Sequence, residues 1–205
     1  MTAIEPTVFV VDDDAAVGEG IRNLLASLEI PVETYPSAQA FLNGYDASRA
    51  GCLLLDVRMP GMSGPELQEL LAARRIELPI IFITGHGDIP MAVQAIKRGA
   101  VDVLEKPFRQ EALLERVQQA FARDRQARER RAARVDVSQR MESLTPRERD
   151  VLRFLLRGDS ADQIAAAMKL SSKTIYVHRG NLLDKLGARS VADLIRMWSV
   201  LEPSK

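Results

Sequence analysis

The sequence predicts a doubly wound parallel α/β domain followed by a separate, all-α domain, and three observations predict it. Up to about Phe121, short apolar runs rich in β-branched residues alternate with longer stretches of helical period. From Ser143 onward the period is helical alone, punctuated by cap residues. The charge also changes sign: residues 1–122 carry 10 basic and 17 acidic side chains, residues 123–142 carry 7 and 4, and residues 143–205 carry 11 and 7. A formal charge of zero for the whole chain thus hides an acidic front and a basic back, an asymmetry suited to a cation-binding or signalling module joined to a nucleic-acid binder.

Five strands are expected, at Thr7–Val11, Val32–Tyr35, Leu53–Asp56, Ile80–Thr84 and Asp102–Leu104. The first, third and fourth are apolar enough to be buried on both faces, as central parallel strands are. The first helix is read from Val17, Ile21, Leu24, Leu25 and Leu28, which fall on one face. Further helices are expected at Ala38–Tyr45, Pro65–Arg74, Pro90–Arg98 and Arg109–Phe121. Five such βα units make a flavodoxin-like sheet, whose ligands lie beyond the carboxyl ends of the strands where the strand order reverses.

Residues 123–142, RDRQARERRAARVDVSQRME, are rich in Arg, Ala and Gln and offer little to bury. They read as a charged connector that prolongs the last helix and then frays, with a solvated face. Four short helices follow, at about 146–157, 161–168, 172–186 and 191–200. Thr145-Pro146-Arg147-Glu148 supplies an N-cap, Pro at the first helical position and Glu three residues after the cap. Ser160 with Gln163, Ser171 or Ser172, and Ser190 with Asp193 repeat the device, and Gly158 and Gly187 mark ends. Only Lys169-Leu170-Ser171 separates the second of these helices from the third, the turn expected of a helix-turn-helix.

Asp12 and Asp13 end the first strand and Asp56 ends the third. In a 2-1-3-4-5 order these strands are neighbours, so the carboxylates converge. Such a cluster repels itself and calls for a cation, and hard oxygen donors favour Mg²⁺ or Mn²⁺. Lys106 after the fifth strand adds a fixed positive charge, and Thr84 at the end of the fourth adds a hydroxyl. A carboxylate nucleophile, a metal, a second cation and a hydroxyl donor are what a phosphoryl acceptor requires, because positioning and electrostatics supply most of that catalysis.

These segments, VVDDD, LLLDVRMPGMSG, IFITGHGD and VLEKPF, are similar to the signature segments of the response-regulator receiver domain of two-component signalling. The resemblance implies that Asp12 and Asp13 hold Mg²⁺ with Asp56 and the main-chain carbonyl of Arg58. It further implies that Asp56 is the phosphoacceptor, that Thr84 and Lys106 contact the phosphoryl group, and that the Lys106-Pro107 bond is cis. Where the family often has Tyr or Phe three residues before the lysine, this chain has Val103, so an aromatic switch is not expected. His86 reads as an exposed loop residue, and Met59 and Met62 as packing residues.

The segment from Leu144 to Ile195 resembles the LuxR-type helix-turn-helix of the FixJ and NarL group, and with TGHGD the likeness is to FixJ-like regulators. Ile164, Ala165, Met168, Leu170, Ile175, Leu182 and Leu186 form its apolar stripe. Tyr176, Val177 and Gly180 share a face, which the resemblance turns towards base edges in the major groove, with Lys173, Thr174, Arg179, Asn181 and Lys185 as flanking phosphate contacts. Relatives commonly carry Lys, Arg or Glu at the position of Tyr176, so less discrimination for guanine is expected. Val191, Leu194, Ile195 and Trp198 offer a dimer surface on the last helix.

The division expected is a receiver over residues 1–122, a charged helical linker over 123–142 and a DNA-binding domain over 143–205. The resemblance implies a regulator modified by a sensor histidine kinase, which dimerises on phosphorylation and binds double-stranded DNA, with RNA polymerase as a further partner. Turnover of an external substrate is not expected. A haloacid-dehalogenase-type phosphatase would need Thr where Ala16 stands, and no P-loop pattern supports an ATPase. A DNA binder independent of phosphorylation is the other alternative, favoured by Val103 and opposed by the acid, hydroxyl and lysine set. No run of 18 apolar residues and no signal-peptide pattern occur, so a cytoplasmic protein without a membrane span is expected. Cys52, the single cysteine, lies in an apolar run and is expected to be a buried thiol.

Overall fold

The computed structural model describes residues 5–85 and 89–201, so His86 lies outside the described residues. By contacts the chain divides after Ala127 into two compact units.

The first unit is built on strands β1 (Thr7–Val11), β2 (Val32–Tyr35), β3 (Gly51–Asp56), β4 (Ile80–Thr84) and β5 (Asp102–Glu105). They pair in parallel in the order β2-β1-β3-β4-β5, with Val8 beside Val32 and Cys52, Leu54 beside Ile81, and Phe82 beside Val103. Every residue of β1, β3 and β4 is buried. The alternation of side chains along a strand sorts this material into two layers. Phe9, Val11, Leu53, Leu55, Ile80 and Phe82 face one way, and Val8, Val10, Cys52, Leu54, Ile81 and Ile83 the other.

Helices α2 (Ala38–Gly44), α3 (Gly64–Ala73) and α4 (Ile89–Lys97) cover the first layer through Phe41, Leu67, Leu71 and Ala95. Helix α1 (Ala15–Ala26) and the start of α5 (Gln110–Glu142) cover the second through Ile21, Leu25, Leu113, Val117 and Ala120. Leu28, expected on the stripe of the first helix, lies beyond it and is exposed. The chain leaves α1 through Ser27, and Glu29 takes a left-handed turn at φ 55°. Cys52 is fully buried, and that burial pushes its thiol far above the ordinary range. Met59 is buried in the first layer and Met62 packs against it.

The second unit holds α6 (Pro146–Leu156), α7 (Ala161–Met168), α8 (Ser172–Leu186) and α9 (Val191–Leu201) around Val151, Leu155, Ile164, Ile175, Leu182 and Leu194. Thr145 and Ser160 form capping boxes with Glu148 and Gln163, and the Ser171 hydroxyl accepts the Thr174 N–H to cap α8. Lys169 closes α7 in the left-handed region, and its N–H returns to Ala165 O.

One expectation is corrected. The connector does not fray, since α5 is helical through to Glu142. Its last turns have partners: Val137 is buried, Met141 packs against the second core, and Arg140 Nη1 donates to Leu186 O at 3.0 Å, at the end of α8. Three side chains at helical spacing give an Arg-rich segment enough to bury, which its low mean hydropathy conceals.

Candidate functional site

The parallel order brings the ends of β1, β3 and β4 to one edge of the sheet, and the side chains there are polar yet buried. Asp12, Asp56 and Thr84 are each less than a tenth exposed. Gly64 permits the approach of α3 behind Asp56, because a Cβ there would lie 2.3 Å from Asp56 O. Lys106, following β5, reaches across: its Nζ donates to Asp12 Oδ2 and to Asp56 Oδ1, each at 2.7 Å. Asp56 Oδ2 accepts the Arg58 N–H at 2.7 Å, and Asp12 Oδ1 accepts the Asp14 N–H at 2.9 Å. Asp14 in turn caps α1 through the Ala16 N–H. The Thr84 carbonyl accepts the Lys106 N–H at 2.7 Å, its hydroxyl donates to Gly85 O, and the Lys106-Pro107 bond is cis.

Burial pushes the Asp56 carboxyl above its ordinary value, with Asp12 adding to the rise, and the Lys106 and Arg58 hydrogen bonds do not cancel it. Burial pulls the Lys106 ammonium down, but its bonds to Asp12 and Asp56 outweigh that and leave it raised. Two buried carboxylates thus share one ammonium, and one negative charge remains uncompensated. Asp13 is exposed at the rim, lining a cleft of about 170 Å³ with Asp12, Asp14 and Arg22, and the Arg58 side chain is exposed. Among the described residues no three His, Cys, Asp or Glu side chains are drawn together at coordination spacing. Carboxylate and carbonyl oxygens with surplus negative charge nonetheless suit a hard divalent cation, so the donor set fits Mg²⁺ or Mn²⁺.

In the second unit, α8 presents a different surface. Tyr176 and Val177 are 59% and 55% exposed, two adjacent large apolar side chains on a helix that also offers Lys173, Gly180 and Asn181 to solvent. A Cβ at Gly180 would meet nothing within 4 Å, so the backbone itself can be approached there. The Ser172 hydroxyl donates to Asp162 Oδ1 at 2.7 Å and ties the start of α8 to α7. Arg179 is half-buried, and Thr174 is used in the cap, its N–H and hydroxyl both bonded to Ser171.

Comparison with known proteins distinguishes the same two parts of the chain. The response regulator receiver domain matches residues 8–118, and the bacterial regulatory proteins of the luxR family match residues 142–198. The chain is a response regulator with a LuxR-type domain. It is 44% identical over 197 residues to the response regulator protein TodT of Pseudomonas putida, covering 96% of this chain and 87% of that protein. It is 40% identical over 190 residues to the transcriptional regulatory protein FixJ of Bradyrhizobium diazoefficiens, covering 93% of each. Among solved structures, the response regulator StyR superposes with a TM-score of 0.83 at 47% identity, covering 95% of this chain and 98% of that one.

This response regulator is therefore a transcription regulator of a two-component system, not an enzyme acting on an external substrate. Its receiver domain implies a sensor kinase partner and its LuxR-type domain implies DNA. No described helix is long and apolar enough to cross a membrane.

Of the residues singled out in the sequence, Asp12, Asp56 and Lys106 are in direct contact, Thr84 adjoins them through the backbone, and Asp13 and Arg58 lie at the rim. Lys185 is placed elsewhere. Its Nζ donates to Glu148 Oε2 at 2.7 Å and reaches Ser143 O, so it binds α8 to α6. Sequence reading missed this pair, the Ser172–Asp162 bond and the Arg140 cap. The partners lie 37, 10 and 46 residues apart, and periodicity carries no signal for them.

Proposed function

We propose that this response regulator accepts a phosphoryl group on Asp56 from a sensor histidine kinase and, once modified, dimerises to bind paired half-sites in double-stranded DNA. The observation that carries the reading is the Lys106 bridge between Asp12 and Asp56, a buried carboxylate held beside one cation at the switch point of the sheet. An Asp56 carboxylate oxygen attacks phosphorus, the bond from phosphorus to the kinase imidazole breaks, and the imidazole leaves with the electron pair. Lys106 holds one phosphoryl oxygen and the Thr84 hydroxyl another. Asp12, Asp13, Asp56 and the Arg58 carbonyl would hold Mg²⁺ or Mn²⁺, which neutralises charge on the phosphoryl oxygens when bound.

The added charge of about −1.5 to −2 shifts a pre-existing equilibrium towards the active receiver conformer. With Val103 on β5 beside Phe82 of β4 and packed partly buried against the first core layer, no aromatic ring reports that shift at this position. The receiver function resides in residues 1–122 and DNA binding in 143–205, and residues 128–142 of the linker pack with the latter. On the DNA, Tyr176, Val177 and Gly180 face base edges, with Tyr176 or Val177 against a thymine methyl, and Lys173, Thr174, Arg179 and Asn181 address phosphates. Lys185 is left out of this set because its ammonium is committed to Glu148. Such a regulator works in the cytoplasm and acts on RNA polymerase at promoters.

Selection of binding sites from random duplex DNA, with wild type before and after phosphorylation and with Asp56→Asn, tests the reading. Paired half-sites enriched by phosphorylated wild type alone are expected. Equal enrichment by all three would replace it with a phosphorylation-independent DNA binder.

A further inference from the structure

Helix α5 packs on the receiver sheet through Leu113, Val117 and Ala120, at i, i+4 and i+7. The next place on that buried stripe, i+11, is held by a carboxylate, Asp124, which is 3% exposed. Its Oδ2 accepts the Gly51 N–H at 2.9 Å, across 73 residues of sequence. Gly51 is itself fixed in place: a Cβ there would lie 1.9 Å from Thr7 O, so no other residue lets β1 and β3 approach as they do. Gly51 is the first residue of β3 and Asp56 the last, about 17 Å apart along a strand buried throughout. Beyond Asp124, residues 129–136 are all exposed, and the next buried residue of α5 is Val137.

A buried carboxylate is a costly way to fill a core position, where an apolar side chain commonly serves stability as well or better. What a directional hydrogen bond adds there is a fixed register, and the exposed, Arg-rich turns that follow have no packed face to fix one for themselves. We propose that Asp124 is a positioning residue: by holding the Gly51 N–H it sets the register of α5 on the phosphoacceptor strand, so that a change at Asp56 is passed to residues 125–142 and so to the DNA-binding helices. One strand then carries the acceptor at its last residue and the anchor of the connecting helix at its first. Asp124 touches no reacting atom and acts through the placement of α5 alone. The inference rests on the reading of Asp56 as the phosphoacceptor.

The test uses the full chain, a small phosphoryl donor with Mg²⁺, and a DNA duplex selected by the phosphorylated wild type. Wild type should bind that duplex at least roughly five-fold more tightly once modified. Asp124→Leu, which continues the apolar stripe, is expected to take up the phosphoryl group and to bind DNA unmodified as wild type does, yet to gain less than about two-fold on modification. Asp124→Asn, whose amide oxygen still accepts the Gly51 N–H, should regain the full response. A merely structural role would move stability and leave the response intact. A full response from Asp124→Leu, or an equal loss in Asp124→Asn, overturns the inference. In wild type alone, hydrogen exchange of the amides of residues 125–136 should change by at least about three-fold on phosphorylation, and unchanged exchange overturns it even if Asp124→Leu does not fold. A wild type that is modified at Asp56 but gains no affinity overturns the coupling and leaves the acceptor in place, whereas equal modification of wild type and Asp56→Asn overturns the reading of Asp56 itself.

Discussion

The Lys185 ammonium lies 2.7 Å from Glu148 Oε2, and the pair joins α8 to α6. Glu148 is buried and already serves the capping box, its Oε2 accepting the Thr145 N–H at 2.8 Å. One carboxylate therefore closes the start of α6 and fixes the far end of α8.

Lys185→Ala leaves that carboxylate without its cation and should destabilise the second unit by about 1–2 kcal/mol, discounted because the lysine is a third exposed. The Lys185 hydrogen bond chiefly holds Glu148 below its ordinary value of 4.5, so the contribution is present above about pH 4.5 and is lost as pH falls through the lower folded value. Denaturant unfolding of wild type and variant at neutral and acid pH should show the two curves converging in acid.

Asp56 behaves in the opposite sense. Burial raises its pKa in the fold, so ionisation opposes folding above its ordinary value of 3.8, and the cost grows with pH until the folded value is passed. Asp56→Asn is expected to melt at a higher temperature than wild type at neutral pH in the absence of divalent cations. The difference should shrink as the pH is brought down towards 4. A variant that melts lower at neutral pH would mean that the Lys106 bond outweighs desolvation.

The end of α8 depends on Arg140 and Gly187. Gly187 holds φ 67°, and a Cβ there would lie 2.6 Å from Arg140 Nη1. Gly187→Ala is thus expected to cost about 1–2 kcal/mol from the left-handed backbone, the crowded guanidinium adding to it. Arg140→Ala should cost about 1 kcal/mol through loss of the bond to Leu186 O and of a cation at a helix C-terminus. Thermal melts of both variants check this.

On DNA, Arg179→Ala should weaken binding alike for all sequences and reduce the slope of log affinity against log salt by about 1. Tyr176→Ala should leave the slope unchanged and relax preference at one base step. Binding titrations over a range of salt on selected and scrambled duplexes separate the two.

The central strands could be read because β1, β3 and β4 are buried on both faces and therefore uniformly apolar, and the capped helices because Thr145, Ser160 and Ser171 do locally what their side chains suggest. The convergence of Asp12 and Asp56 followed from the adjacency of β1 and β3, whereas Asp13, expected with them, lies exposed at the rim, and the strand order does not by itself carry Lys106 from the end of β5 to both. What was not legible is long-range polar pairing. Lys185 looked like any exposed cation on a basic helix until its distance to Glu148 was known, and the connector looked empty because Val137 and Met141 are few among many arginines.

The central claim, that Asp56 is the phosphoacceptor, is tested most directly by intact mass. Wild type and Asp56→Asn are incubated with a small phosphoryl donor with and without Mg²⁺. A single phosphoryl adduct on wild type, dependent on Mg²⁺ and absent from Asp56→Asn, is the predicted result. An adduct of equal yield on both proteins, or none on either while a known receiver reacts in parallel, would contradict it.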